Sequence, residues 1–173
     1  MSLFKVFLIL TGYQLTWLMC VLGEKIYNQP LIGVITGSVF SILYFYYSKN
    51  KYRALLITLS IALPGYLFDS IVVYLNIYEF NSSLKIGILP IWMLVLWISF
   101  AILFDQVFVF LKNYQKIGIL FSSILGPFTY YAGSPLGIIE IHNYNIFLLI
   151  MIIFWFLLML YYLKIILKKF SIQ

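Results

Sequence analysis

Two acidic residues lie within long apolar stretches of the chain, where a charged side chain is costly. Asp69 follows "LPGYLF", and Asp105 precedes "QVFVF". On insertion scales an acid at the centre of a membrane helix costs about 2.5–3.5 kcal/mol, and acids placed there commonly bind ions or relay protons. Asp69 is therefore the candidate catalytic residue, as a proton donor or acceptor.

The two acids are predicted to lie at different depths. At about 1.5 Å per helical residue, Asp69 lies roughly 13 Å from the outer end of its stretch, and Asp105 lies about 8 Å from the inner end of the next one. In a hydrocarbon core about 30 Å thick their depths differ by on the order of 10 Å, which argues against two carboxyls that share one substrate. Lys112, two helical turns beyond Asp105, favours a structural role for that acid. Asp69 has no basic residue at its depth.

Polar and aromatic side chains at a comparable depth are the expected partners of Asp69. Trp97 is the nearest match, because a buried indole N–H needs an acceptor and a carboxyl supplies one. Trp92 lies five positions earlier, so we expect only one of the two indoles to face the acid. The predicted binding residues are Gln14, Trp17, Ser70, Trp92, Trp97, Tyr130 and Tyr131.

Helix-weakening residues precede Asp69 and recur in "LGPFTYYAGSPLG", residues 125–137. Within this stretch Gly126, Tyr130 and Gly133 fall on one helical face, where small residues let a neighbouring helix approach. Proline removes an internal hydrogen bond and bends a helix. The pattern predicts two weakened, interrupted helices that leave a polar opening beside Asp69, and the alternative is that both prolines only kink packed helices. Its structural residues are Pro64, Gly65, Gly126, Pro127 and Gly133.

The composition is typical of a membrane protein. Of the 173 residues, 64% are hydrophobic and 9% are charged, whereas about 25% are charged in soluble domains. Six apolar stretches are long enough to cross a bilayer. The predicted fold is an all-α bundle of six transmembrane helices in one domain, residues 1–173. The spans lie near residues 3–22, 31–47, 54–78, 86–110, 117–133 and 146–167.

Charge predicts the orientation of the six spans. Both termini then lie on one side, which holds nine of the eleven basic residues, while Lys25, Lys85 and all three glutamates lie on the other. Basic loops face the cytoplasm, so both termini are predicted to be cytoplasmic. The net charge of +6 then reflects topology and attraction to lipid headgroups. The sequence lacks the basic patch of a nucleic-acid-binding domain.

The sequence offers no metal or cofactor motif. Cys20 and His142 are the single cysteine and the single histidine, so a zinc cluster is excluded, and Glu140 with His142 supplies too few ligands. No phosphate-binding loop, dinucleotide fingerprint or nucleophile elbow occurs. We therefore expect neither a metal nor a cofactor.

Four blocks of the sequence resemble one known family when they are taken together: "YQLTWLMCVLG", "GYLFDSIVVYLNIYEF", "PIWMLVLWISFAILFDQ" and "LGPFTYYAGSPLGIIE". They are similar to the signatures of small bacterial integral-membrane proteins, domain of unknown function 2878, in order and spacing along nearly the whole chain. The resemblance implies a multi-pass protein of the bacterial inner membrane and brings no assigned activity. It suggests that members are often encoded near lipid-modifying enzymes, which is an association and not a mechanism.

The family pattern selects much the same residues as the chemistry does. Asp105 and Gln106 stand where the pattern would have asparagine and histidine, so any chemical role of that pair is in doubt. The positions that match the pattern are Gln14, Trp17, Asp69, Ser70, Pro90, Trp92, Trp97, Gly126, Pro127, Tyr130 and Gly133.

Three functions stay open on the sequence. The first is an intramembrane pocket in the outer half that binds or modifies a lipid-like molecule, with Asp69 as its acid and membrane lipids as partners. The second is a subunit for small-solute transport or substrate capture. The third is a ligand-free scaffold in which polar groups join the helices. Whether any reaction is catalysed is equally open.

Overall fold

A computed structural model describes residues 3–170, and this part of the chain is mainly helical. The prediction of an all-α fold is confirmed. Four very short strands form two antiparallel pairs: β1 (Tyr78–Phe80) with β4 (Ile139–Ile141), and β2 (Lys85–Ile86) with β3 (Leu89–Pro90). The helices are α1 (Leu3–Lys25), α2 (Leu31–Tyr47), α3 (Lys51–Tyr74), α4 (Ile91–Gln106), α5 (Gln115–Gly133), α6 (Tyr144–Tyr161) and α7 (Leu167–Phe170). A 3-10 segment (Phe108–Asn113) follows α4, and a π-helical segment (Tyr162–Ile166) joins α6 to α7.

Three helical stretches are long and apolar enough to cross a membrane. They are α1, α3 and the continuous run Tyr144–Phe170, which is 27 residues long. Two shorter apolar helices, α2 and α4, have 17 and 16 residues. The described chain therefore has the apolar helices that are expected of a membrane protein.

The chain divides into two compact units. The first unit comprises residues 3–70 and 82–108, and in it α1, α2 and α4 pack on one another. Glycines on α2 permit this packing: a Cβ on Gly33 would lie 2.6 Å from the Cα of Cys20, and one on Gly37 would lie 2.4 Å from Val95. Cys20 is fully buried at this contact.

Side-chain contacts fix the helix directions within the first unit. Trp97 of α4 contacts Gly65 of α3, whereas Asp105, further along α4, contacts Arg53, which is earlier in α3. The two helices are therefore antiparallel. By the same reasoning α2 is parallel to α4, because Gly37 contacts Val95 and the later residue Tyr44 contacts the later residue Asp105. At the Asp105 end of the unit lies a core cluster of buried side chains: Ile9, Tyr44, Ala54, Ile102, Leu103 and Val107.

The second unit comprises residues 71–81 and 109–170, in which α5 packs on α6 and the β1–β4 ribbon brings two connecting segments together. Tyr78 lies at the centre of an aromatic cluster, with ring centroids 5.5 Å from Phe80 and 5.9 Å from Phe147. A Cβ on Gly126 of α5 would lie 2.2 Å from the indole of Trp155 on α6. Because Gly126 has no side chain, the indole of Trp155 packs directly against the backbone of α5.

The third and fourth predicted spans extend beyond the helices, and local backbone chemistry explains the end of α3 and the start of α4. The third span was predicted to reach Tyr78, but α3 ends at Tyr74 before Asn76, whose φ is positive. The fourth was predicted to cover residues 86–110, but α4 begins after Pro90 and ends at Gln106. Gly87 has a φ of 64° in the preceding β-hairpin, and a residue before proline favours an extended backbone.

Candidate functional site

The buried acid of α3 is paired with an indole of α4. Asp69 has no exposed surface, and Trp97 is 4% exposed. The Trp97 Nε1–H donates a hydrogen bond to Asp69 Oδ2, with 2.6 Å between the heavy atoms. The acceptor expected for this buried N–H is therefore Asp69, and Trp97 is the indole of α4 that meets the acid.

Gly65 makes room for this pair. A Cβ at position 65 would lie 2.3 Å from two ring carbons of Trp97, so no larger residue fits unless the indole moves. The interruption predicted at Pro64 is absent, because α3 continues through Pro64 and Gly65 to Tyr74. In the structure the space beside Gly65 is occupied by the Trp97 ring.

The other predicted binding residues of the first unit occupy varied environments. Gln14 is exposed and Trp17 is half-buried, both on α1. Ser70 is half-buried, and its Oγ donates to the backbone carbonyl of Tyr66 at 2.8 Å. Trp92 is buried, but its Nε1–H donates to Glu24 Oε2 at 2.9 Å. The two indoles of α4 thus contact two different acids.

Glu24 is a polar centre that the sequence alone did not reveal. At the end of α1 it is 9% exposed, and besides Trp92 it accepts hydrogen bonds from Ser82 Oγ at 2.6 Å and from Ser83 N at 2.9 Å. These donors lie 58–68 residues away in the sequence, so no local pattern joins them to Glu24. The adjacent hydroxyls of "SSLKIG" were the available signal. Through these hydrogen bonds the carboxylate links α1 to the segment that leads into the β2–β3 hairpin.

Asp105 forms a third buried acid cluster, in which its basic partner is Arg53. Tyr44 OH and Gln106 Nε2 donate to Asp105 Oδ2, the latter at 2.9 Å. Arg53 Nη2 lies 3.6 Å from Asp105 Oδ1. Lys112 was the expected basic neighbour, but α4 ends at Gln106, so the assumed helical spacing to Lys112 does not hold.

The three acid clusters are stacked along α4. Trp92, Trp97 and Asp105 occupy successive levels, separated by about 7.5 Å and 12 Å along the helix axis at 1.5 Å per residue. The second separation agrees with the difference in depth predicted for Asp69 and Asp105. The acids therefore do not form one paired-carboxylate site, and each has its own aromatic hydrogen-bond donor.

The predicted aromatic and structural residues of α5 lie in the second unit. Tyr130 is half-buried, with its ring centroid 5.8 Å from that of Tyr78, and Tyr131 is 49% exposed beside Tyr144. The helix continues through Pro127 to Gly133, so the interruption predicted here is also absent. Gly126, Pro127 and Gly133 are all buried.

A family match covers most of the chain. Residues 6–161 match the family described as "Protein of unknown function (DUF2878)". The chain belongs to the DUF2878 family. Searches of curated proteins and of solved structures found no match. The suspected resemblance is thus confirmed, and the family description adds no activity.

The described part of this DUF2878 chain holds no evident metal centre. Among residues 3–170, no group of three or more His, Cys, Asp and Glu side chains is arranged to hold a metal ion. Glu140 and His142 are exposed, on and just after β4, while Glu24, Asp69 and Asp105 accept hydrogen bonds from tryptophan or tyrosine. These three acids therefore act as hydrogen-bond acceptors inside the first unit.

Proposed function

We propose that this DUF2878 chain is a multi-pass protein of the bacterial inner membrane, with six spans and both termini in the cytoplasm. The three long apolar helices support this topology, and α2, α4 and α5 would supply the other spans. The 17 residues of α2 extend about 26 Å, close to the thickness of a hydrocarbon core. Nine basic residues would face the cytoplasm: Lys5, Lys49, Lys51, Arg53, Lys112, Lys116, Lys164, Lys168 and Lys169.

The proposed function is to bind, and to protonate or otherwise modify, a lipid-like amphipathic molecule at Asp69. The observation that carries this proposal is the Asp69–Trp97 hydrogen bond, fully buried in an apolar helix. An acid in that setting is functional more often than structural. Movement of the Trp97 ring away from Gly65 would open Asp69 to the ligand.

Replacement of Asp69 tests this function. Asp69→Asn keeps the shape and an oxygen acceptor for Trp97 but removes the acid. We expect native mass spectrometry of the protein in nanodiscs to show a lipid-like molecule bound to the wild type and at least a tenfold lower occupancy in Asp69→Asn. Glu140→Gln, which changes an exposed acid of the second unit, is the matched control and should retain the ligand.

The same experiment separates the two alternatives. If Asp69→Asn folds, carries the same molecules and causes no phenotype, the acid only joins helices and the ligand-free scaffold is favoured. If an ATP-driven partner copurifies, and a small water-soluble solute is bound instead of a lipid, a transport or substrate-capture subunit is favoured.

A further inference from the structure

The middle of α1 carries a polar side chain that the rest of the chain leaves exposed. Gln14 is eleven residues from each end of α1, which is about 16.5 Å along the helix axis. In a hydrocarbon core about 30 Å thick this is the central level. Among residues 3–170, the Gln14 side chain has no hydrogen-bond partner. An amide that faces acyl chains leaves two N–H donors and a carbonyl oxygen unsatisfied, so its position requires an explanation.

A second polar group lies beside Gln14. Thr11 precedes it by three residues, and residues three apart share a helix face. Thr11 is half-buried, and its hydroxyl likewise finds no hydrogen-bond partner in the described chain. The hydroxyl of Thr16, by contrast, is buried and donates to Gly12 O at 2.9 Å. The two groups without a partner therefore lie together on one face, near the middle of α1.

The face that carries Thr11 and Gln14 has the spacing of a helix-pairing seam. Alternating steps of three and four residues lead from Gln14 through Thr11 to Phe7 and Phe4, and onward to Leu18. These five residues form the α1 seam, in which Phe4, Phe7 and Leu18 are 69%, 63% and 38% exposed. Such steps keep residues on one face of two helices that wind around each other. The opposite side of α1 holds most of its buried residues: Ile9, Thr16, Cys20 and Gly23.

We propose that the α1 seam pairs with the same seam of a second copy of this chain, in a parallel homodimer. Two copies insert in the same orientation, so a two-fold axis that relates them is normal to the membrane and places Gln14 opposite Gln14 at one depth. A carboxamide both donates and accepts, so the two side chains can hydrogen-bond to each other. Any other protein would need its own polar group at this level, whereas a second copy supplies one by symmetry. The inference rests on the proposed membrane location of α1 and is independent of a ligand at Asp69.

Removal of the amide tests this dimer. Energy transfer between labelled copies in liposomes, measured over a range of protein-to-lipid ratios, gives the dissociation constant of the dimer. Gln14→Leu removes the hydrogen bond but keeps α1 apolar enough to insert, and we expect about a fivefold higher dissociation constant. Gln14→Asn retains a carboxamide and should dimerise more tightly than Gln14→Leu. The control is Gln29→Leu, the same change at an exposed loop residue, which should leave the constant unchanged.

Photo-cross-linking locates the interface in a protein that keeps Gln14. Benzoylphenylalanine introduced in place of Phe7, in the α1 seam, should cross-link two copies in native membranes. The matched control is the same replacement at Phe128 of α5, which is 59% exposed and lies outside the seam, and it should give several times less dimer. Asp69→Asn should dimerise as the wild type does, so failure of the proposed lipid site leaves this test intact. The proposal is overturned if the wild type is monomeric in liposomes, if Gln14→Leu dimerises as tightly as the wild type, or if the two cross-linking positions give equal dimer.

Discussion

Gly65 is the residue on which the Asp69–Trp97 hydrogen bond depends. In Gly65→Ala the new methyl group would lie 2.3 Å from the indole of Trp97, so the indole would have to move. Overpacking of this kind costs about 1–3 kcal/mol, against a gain of about 1 kcal/mol in helix propensity. We expect a lower Tm and altered tryptophan fluorescence. Gly118→Ala is the control, because its methyl group would come no closer than 3.2 Å to its nearest neighbour, the Leu111 side chain. Equal effects of the two changes would contradict this role of Gly65.

Glu24 is expected to hold the β2–β3 hairpin in place. Glu24→Gln replaces one acceptor oxygen with an NH2 group that faces donors from Ser82, Ser83 and Trp92. Hydrogen bonds to a charged group contribute about 1.5–3 kcal/mol. Hydrogen exchange should therefore speed up at residues 82–90, while Glu140→Gln leaves that segment unchanged. Unaltered exchange in Glu24→Gln would show that the hairpin is held by other contacts.

A contact of a single residue could be predicted from the sequence where the residue's depth in the membrane and its hydrogen-bonding needs indicated the same partner. Trp97 was selected because an indole at the depth of Asp69 needs an acceptor, and the structure has that hydrogen bond. Glu24 was missed because its donors Ser82 and Ser83 precede the β2–β3 hairpin, 58 and 59 residues away in the sequence, where no local pattern joins them to α1. Arg53 was missed as the partner of Asp105 because it lies on another helix, whereas the spacing considered was within one.

At the scale of elements, hydrophobic length identified every long helix but not where each one ends. The helix α2, Leu31–Tyr47, coincides with the second predicted span because polar segments bound it on both sides. In α4 the prediction failed because the apolar residues of the β2–β3 hairpin lengthened the apolar run. The prolines of α3 and α5 were expected to break their helices, but each removes only one backbone donor from a long helix, and both helices continue.

The β1–β4 ribbon places two like charges directly opposite each other. Glu79 and Glu140 are Cα partners in this antiparallel pair. Opposed like charges destabilise a strand pair, whereas opposite charges contribute roughly 0.2–1 kcal/mol. We expect Glu140→Lys to raise Tm and Glu140→Gln to give a smaller rise, as measured on purified protein at low salt. A lower Tm for Glu140→Lys than for Glu140→Gln would show that the two side chains do not interact.

At the scale of the whole molecule, the proposed topology makes a direct prediction. Reporter fusions after Asn50 and Tyr114 should give fluorescent green fluorescent protein and inactive alkaline phosphatase, because these loops would be cytoplasmic. Fusions after Asn28, Gly87 and Gly137 should give the opposite result. Alkaline phosphatase activity at Asn50 or Tyr114 would overturn the orientation, and the same reporter result at two successive loops would overturn the six-span count.

The buried position of Cys20 has a practical consequence for experiments on this protein. The chain has one cysteine, and it lies against the backbone of Gly33 with almost no exposed surface. A maleimide reagent needs an accessible thiol, so the natural chain already serves as an unreactive background. Spin labels or fluorophores can therefore be attached to pairs of cysteines introduced on exposed helix faces, and the distance between the two labels can be measured in the otherwise native protein.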